Sequence, residues 1–151
     1  MILRYAVTLA LAGTFLTSSA LWAHCEVPCG IYGDDARFAA IAEDLQTVEK
    51  AMGMIADLAG KTDAQSANQL ARWVATKEEH ANKIQYVVTQ YFMTQRLKVP
   101  ADGDEAAFAA YTNKLVLLHK MLRTAMLCKQ SVDVAHPQAL HDLLHAFKEV
   151  Y

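Results

Sequence analysis

From Asp34 onward the apolar side chains recur three or four positions apart, with no useful run of alternation. That spacing lines up one face of an α-helix, whereas a half-buried strand needs every second residue. A first stretch carries Phe38, Ile41, Leu45, Val48, Met52 and Ile55. Asp34 or Asp35 can cap its start, and Gly60 stops it. A second starts near Asp63 or Ser66 and runs to about Lys98, with Leu70, Trp73, Lys77, Ala81, Ile84, Val88 and Tyr91 in line. Pro100 and Gly103 lie just beyond. A third, from about Asp104, carries Phe108, Tyr111, Leu115, Leu118, Leu122 and Ala125 and fades near Ser131–Asp133. A fourth opens at His136-Pro137, with proline in the first turn, and carries Leu140, Leu143, Leu144, Phe147 and Val150. Short connections between long amphipathic helices favour antiparallel neighbours. Residues 34–151 are therefore expected to form an all-α, up-down-up-down four-helix bundle.

The first 23 residues do not share this pattern. Met1–Ala23 has one charge, Arg4, followed by the apolar run Tyr5–Leu16 and small residues toward the end. The run is shorter than the 20 or so residues a membrane span needs, and it has the build of a secretory signal peptide. Its presence explains why 54% of the chain is hydrophobic; without it the remainder falls to about half, an ordinary globular value. The protein is expected to be exported, to the periplasm or the extracellular space, with no membrane attachment once the leader is removed.

Cleavage after Ala20 would place Ser18 and Ala20 at the specificity positions. Cleavage after Ala23 would place Leu21 at the outer one, yet only this cut makes His24 the first residue of the mature chain. Loss of Arg4 with the leader takes the 14 basic residues to 13 against 16 acidic ones, a formal charge of −3. That balance excludes a nucleic-acid binder working through a basic face.

Chemistry concentrates in residues 24–33, between the leader and the first helix. His24-Cys25-Glu26-Val27-Pro28-Cys29-Gly30-Ile31-Tyr32 holds two of the three cysteines. On spacing alone, a Cys25–Cys29 disulfide in an oxidising compartment and a metal site are about equally good readings. A free amine at His24 would deprotonate readily, its ordinary pKa being about 7.7–8.0. The amine, the Cys25 backbone nitrogen and the Cys25 thiolate could then close two fused five-membered chelate rings. Cys29 could supply a fourth ligand across a turn that Pro28 and Gly30 permit. Two nitrogens and two thiolates in a plane suit Ni(II) or Cu(II) rather than tetrahedral zinc, and the His24 imidazole is free to approach along the axis.

These nine residues resemble the nickel hook, H-C-x-x-P-C-G-x-Y, of the nickel superoxide dismutases, with all six specified positions matched. Gln69-Leu70-Ala71-Arg72-Trp73-Val74, Lys77-Glu78-Glu79-His80-Ala81, Tyr91-Phe92 and Gln95-Arg96 resemble helical blocks of cyanobacterial and marine members. The resemblance implies disproportionation of superoxide to dioxygen and hydrogen peroxide, with one nickel per chain and assembly into hexamers. It implies that His24, Cys25 and Cys29 are the nickel ligands, and that Tyr32 and Tyr91 stand near the open face of the metal. Two positions depart from it. Phe38-Ala39-Ala40 stands where some members carry an acid supporting the axial imidazole, and Met93 where some carry a base after the Tyr-Phe pair.

An exported, non-enzymatic nickel or copper carrier using the same segment is the alternative reading, and a disulfide-pinned partner-binding bundle a third. Elsewhere, His141 and His145 lie four apart on the fourth helix and read as solvent-exposed rather than as an incomplete metal site. His119 and His136 read as surface or capping residues, and His80 as structural or as a subunit contact. Cys128 reads as a buried thiol, Trp73 and Tyr86 as packing, and Glu78, Glu79, Lys77 and Lys83 as a solvated helix face. With a net negative protein, attraction of anionic superoxide must come from local Lys or Arg near the hook.

Overall fold

The structure is a computed structural model and describes residues 33–151. The leader 1–23 and His24–Tyr32, with His24, Cys25, Cys29 and Tyr32, lie outside the described residues. Four α-helices follow: α1 (Asp34–Leu58), α2 (Ala64–Tyr86), α3 (Glu105–Gln130) and α4 (Ala135–Val150). A π-helical segment, Val87–Arg96, continues α2 without a break. The described residues contain no strand, and no helix among them is long and apolar enough to cross a membrane.

Hydrogen bonds fix the directions of the helices. Asp34 and Asp44 of α1 meet Tyr91 and His80 respectively, so α1 and α2 run antiparallel. Gln85 reaches the carbonyl of Leu122, and Lys77 the carbonyl of Lys129, so α2 and α3 also oppose each other. α4 returns beside α1, with Lys148 near Asp35 and His141 near Ala42. The expected up-down-up-down bundle is the observed one.

Local sequence explains the ends. Asp63 caps α2 by accepting from the Ser66 backbone at 2.9 Å, and Asp104 caps α3 by accepting from Ala107 at 2.9 Å. Each satisfies a donor the first turn leaves orphaned. Gly60 and Gly103 take φ of +83° and +89° in the connections before these helices, a region that disfavours side chains. α1 is different: Gly33 is its N-cap, with no side-chain cap, and Asp34 is turned to another task.

The core contains Ile41, Leu45, Val48 and Met52 of α1, Ala81, Ile84 and Val88 of the second helical run, and Leu118, Met121, Ala125 and Cys128 of α3. Leu140, Leu144 and Phe147 of α4 close it. Two expectations fail at the edges. Phe108 is 55% exposed because it faces the 99–104 connection across an open groove rather than another helix; burial falls on Met121 and Cys128 instead. Tyr86, expected to pack, is 66% exposed.

The expectation for Lys77 also fails. It is buried rather than solvated, and its ammonium donates to the main-chain oxygens of Lys129 at 2.6 Å and Ser131 at 2.9 Å. These are carbonyls at the end of α3, where helical partners run out, so Lys77 closes that helix from α2. The helices are thus staggered. The part of α2 before Lys77, about 20 Å of helix, extends past the end of α3, and there Lys50 of α1 stands 6.0 Å over the Trp73 ring.

Candidate active site

At the opposite end of the bundle, three chain segments converge on the first residue of α1. Tyr91 donates its hydroxyl to Asp34 Oδ1 at 2.6 Å, and Arg96 Nη2 donates to Asp34 Oδ2 at 2.7 Å. Arg96 Nε donates in turn to the Tyr151 hydroxyl at 3.2 Å. Asp34 is two residues after Tyr32 and five after Cys29. Cys29 is therefore tethered within about 18 Å of chain.

The π-helical segment makes this convergence possible. Leu97 donates to the carbonyl of Phe92, five residues back, at 2.9 Å; the Thr94 hydroxyl reaches Thr89 O, and Gln95 Nε2 reaches Gln90 O. Within this wider turn the consecutive residues Tyr91 and Phe92 are both buried. Such turns are concentrated at functional sites. Phe92 enters an aromatic cluster, with ring centroids 4.9 Å from Phe38, 5.1 Å from Phe147 and 5.4 Å from Tyr151. Tyr91 packs edge-on against Phe92 at 5.3 Å, with its hydroxyl aimed at Asp34. The cluster is an apolar floor beside the first turn of α1.

Electrostatics follow from these contacts. Burial opposes ionisation of Asp34, but hydrogen bonds from Tyr91, Arg96 and Tyr151 outweigh it and hold the carboxyl below its ordinary value. Burial, then the bond to Asp34, pushes the Tyr91 phenol up to about 12. Tyr91 is thus a neutral donor at physiological pH. Asp34 raises the Arg96 value further, so that cation is permanent.

Of the residues expected at the site, Tyr91 lies among the described residues, bonded to Asp34 at the start of α1. Asp34 was expected only as a cap, Arg96 only as part of a sequence block, and Tyr151 not at all. Their common role depends on a fold that brings Arg96 and Tyr151, 62 and 117 positions away, to Asp34, and no local pattern encodes that.

Among the described residues no group of three or more His, Cys, Asp or Glu could hold a metal. His141 is half-buried and His145 exposed in a groove between α1 and α4. His80 is paired with Asp44 at 2.7 Å, a bond between α1 and α2. Cys128 is fully buried, and burial pushes its thiol up to about 11, against the opposing effect of Lys77. A thiol so held is a poor thiolate ligand. The donor set that fits nickel is that of the hook sequence: soft thiolates and nitrogens able to lie in one plane.

The family model for nickel-containing superoxide dismutase matches residues 19–151. A search of curated proteins and a search of solved structures each returned no match.

Proposed function

We propose that this chain, which belongs to the nickel-containing superoxide dismutase family, is exported, is cleaved after Ala23, and binds one nickel through His24, Cys25 and Cys29. Family membership gives the reaction: two superoxide anions and two protons become dioxygen and hydrogen peroxide. Nickel, when bound, supplies the one-electron couple between Ni(II) and Ni(III) that this reaction requires. The ligands are the His24 amine and imidazole, the Cys25 thiolate and backbone nitrogen, and the Cys29 thiolate.

The observation that carries this reading is the reach of the family match across the hook into a bundle whose Tyr91 is tied to the hook's root. Tyr91 holds its proton toward Asp34 and Arg96 clamps the second carboxylate oxygen, so two bonds orient the first turn of α1. Tyr32, immediately before Gly33 in the sequence, would share with Tyr91 the approach to the metal. The aromatic floor of Phe38, Phe92, Phe147 and Tyr151 excludes water from beneath it. Assembly into hexamers is supported by the overhang of α1 and α2, where Leu70 and Trp73 are only partly covered and Val74 is 41% exposed.

N-terminal sequencing of the native mature protein, with metal analysis and a superoxide-consumption assay, tests the proposal. His24 at the terminus, one nickel per chain and rapid turnover are expected. Active protein that retains Leu21-Trp22-Ala23 would overturn the amine ligand. Bound metal without turnover would favour a carrier.

A further inference from the structure

The overall charge of the chain repels superoxide, but one wall near the hook's root has the opposite sign. A cavity of about 510 Å³ opens between the start of α1, the end of the π-helical segment and the early turns of α3. Its lining includes Arg96, Lys98 and Lys114, with Asp34 as the only acid. Asp34 is already engaged by Arg96 and Tyr91. Neither Lys98 nor Lys114 forms an ion pair among the described residues; Lys114 donates to the Tyr151 main-chain oxygen at 3.2 Å and stands 5.8 Å over the Tyr151 ring. Among the lining side chains, three are cations and one is an acid. The whole chain carries −2.

We propose that this cavity is an entry site for small inorganic anions, in which Lys98 and Lys114 draw superoxide toward the metal hook. The proposal rests on the dismutase reading above and deepens it by naming the residues that gather the substrate. A concave wall of one sign, backed by low-dielectric protein, concentrates counter-ions and raises encounter rates. Tyr151 and Tyr111 supply that backing here, and Asp34 connects the cavity by two residues to Tyr32. Arg96 is engaged by Asp34 and Tyr151, and Lys114 donates one bond to the Tyr151 main chain, so Lys98 and the remaining donors of Lys114 face the cavity's anion.

Two measurements test this. In the nickel-loaded protein, the second-order rate constant for superoxide loss should fall as ionic strength rises. In K98E/K114E it should be about tenfold lower at low salt, with a flat or inverted salt dependence and unchanged nickel content. K50E/K61E makes the same charge change in the overhanging end and should keep the rate and slope of the parent. A salt-independent parent rate, or an equal loss in K50E/K61E, would overturn the proposal. In the nickel-free protein, azide titrated at millimolar concentration should shift the NMR signals of Lys98 and Lys114, and those shifts should vanish in K98E/K114E. Shifts spread evenly over all lysines would also overturn it. Because the azide arm needs no turnover, failure of the dismutase reading is distinguishable from failure of the entry site.

Discussion

Tyr91 and Asp34, 57 residues apart in the chain, are joined by a hydrogen bond of 2.6 Å that fixes the first residue of the bundle to the end of its second helical run. The bond runs from a neutral phenol to a carboxylate, the class worth about 1.5–3 kcal/mol. Arg96 grips the other oxygen of the same carboxylate, so either partner alone can retain Asp34, but with less directional control.

Tyr91→Phe should therefore leave the bundle folded and lower its stability by about 1–2 kcal/mol, less than the full worth of the bond because Arg96 remains. Nickel should still bind. Superoxide turnover per bound nickel should fall, since the root of the hook loses one of its two restraints. Denaturant unfolding, nickel analysis and pulse radiolysis check the three parts, and unchanged turnover would remove Tyr91 from the site.

The same pair predicts a pH window. Asp34 has a lowered folded-state value, so its contribution is present above the ordinary carboxylate range and is lost as pH falls through the folded value. Tyr91 has a raised value, so its contribution is complete below the ordinary phenol range and is lost as pH rises toward about 12. Stability should show an acid limb that is weakened in Asp34→Asn and an alkaline limb that is weakened in Tyr91→Phe. Ultraviolet titration of phenolate should lose its latest-titrating tyrosine in Tyr91→Phe.

Lys77 should matter for stability rather than for turnover. Lys77→Ala leaves the buried carbonyls of Lys129 and Ser131 without their donor, at a cost of about 1–3 kcal/mol. Faster amide exchange should appear in the last turn of α3, while turnover per bound nickel stays that of the parent. An unchanged unfolding midpoint would contradict the cap.

Phe92→Ala should cost about 3–5 kcal/mol, because a fully buried ring in contact with four other aromatic residues is replaced by a void. Val116→Ala, at a position 45% exposed, should lie within about 0.5 kcal/mol of the parent. Thermal and denaturant unfolding of the pair measure the difference.

Cys25→Ser and Cys29→Ser should each abolish nickel binding, and retained activity in either would remove that ligand. Cys128→Ala should retain one nickel per chain, since its buried thiol faces the core and not the hook. Mass spectrometry of the native complexes distinguishes these outcomes directly.

The helices were legible because burial in a bundle obeys one period, and every α1 position from Phe38 to Met52 in the expected stripe is buried. Asp63 and Asp104 were legible because capping is local. Phe108 was not: periodicity identifies a face but says nothing of whether a neighbour reaches it. Lys77 sat in the apolar stripe, yet its charge argued for solvent; only the end of α3 beside it supplies the carbonyls that make burial tolerable. The π-helical turn left no compositional mark, since Val87–Arg96 reads as ordinary amphipathic helix. The hook was legible as chemistry because its donors are adjacent in sequence, while the residues that seat it are not.

The stitching of Asp34 to Tyr91, Arg96 and the Tyr151 aromatic cluster sets an order of events on the ribosome and beyond. Asp34 is made early, but the contacts that hold it include the last residue, Tyr151, which packs on Phe147 in the last turn of α4. A chain threaded outward as it is made would display its thiols well before anything holds them. On the reading proposed above, capture of the metal in a fixed geometry would be deferred until the final helix has docked, and the C-terminal residues would become a checkpoint for the N-terminal chemistry.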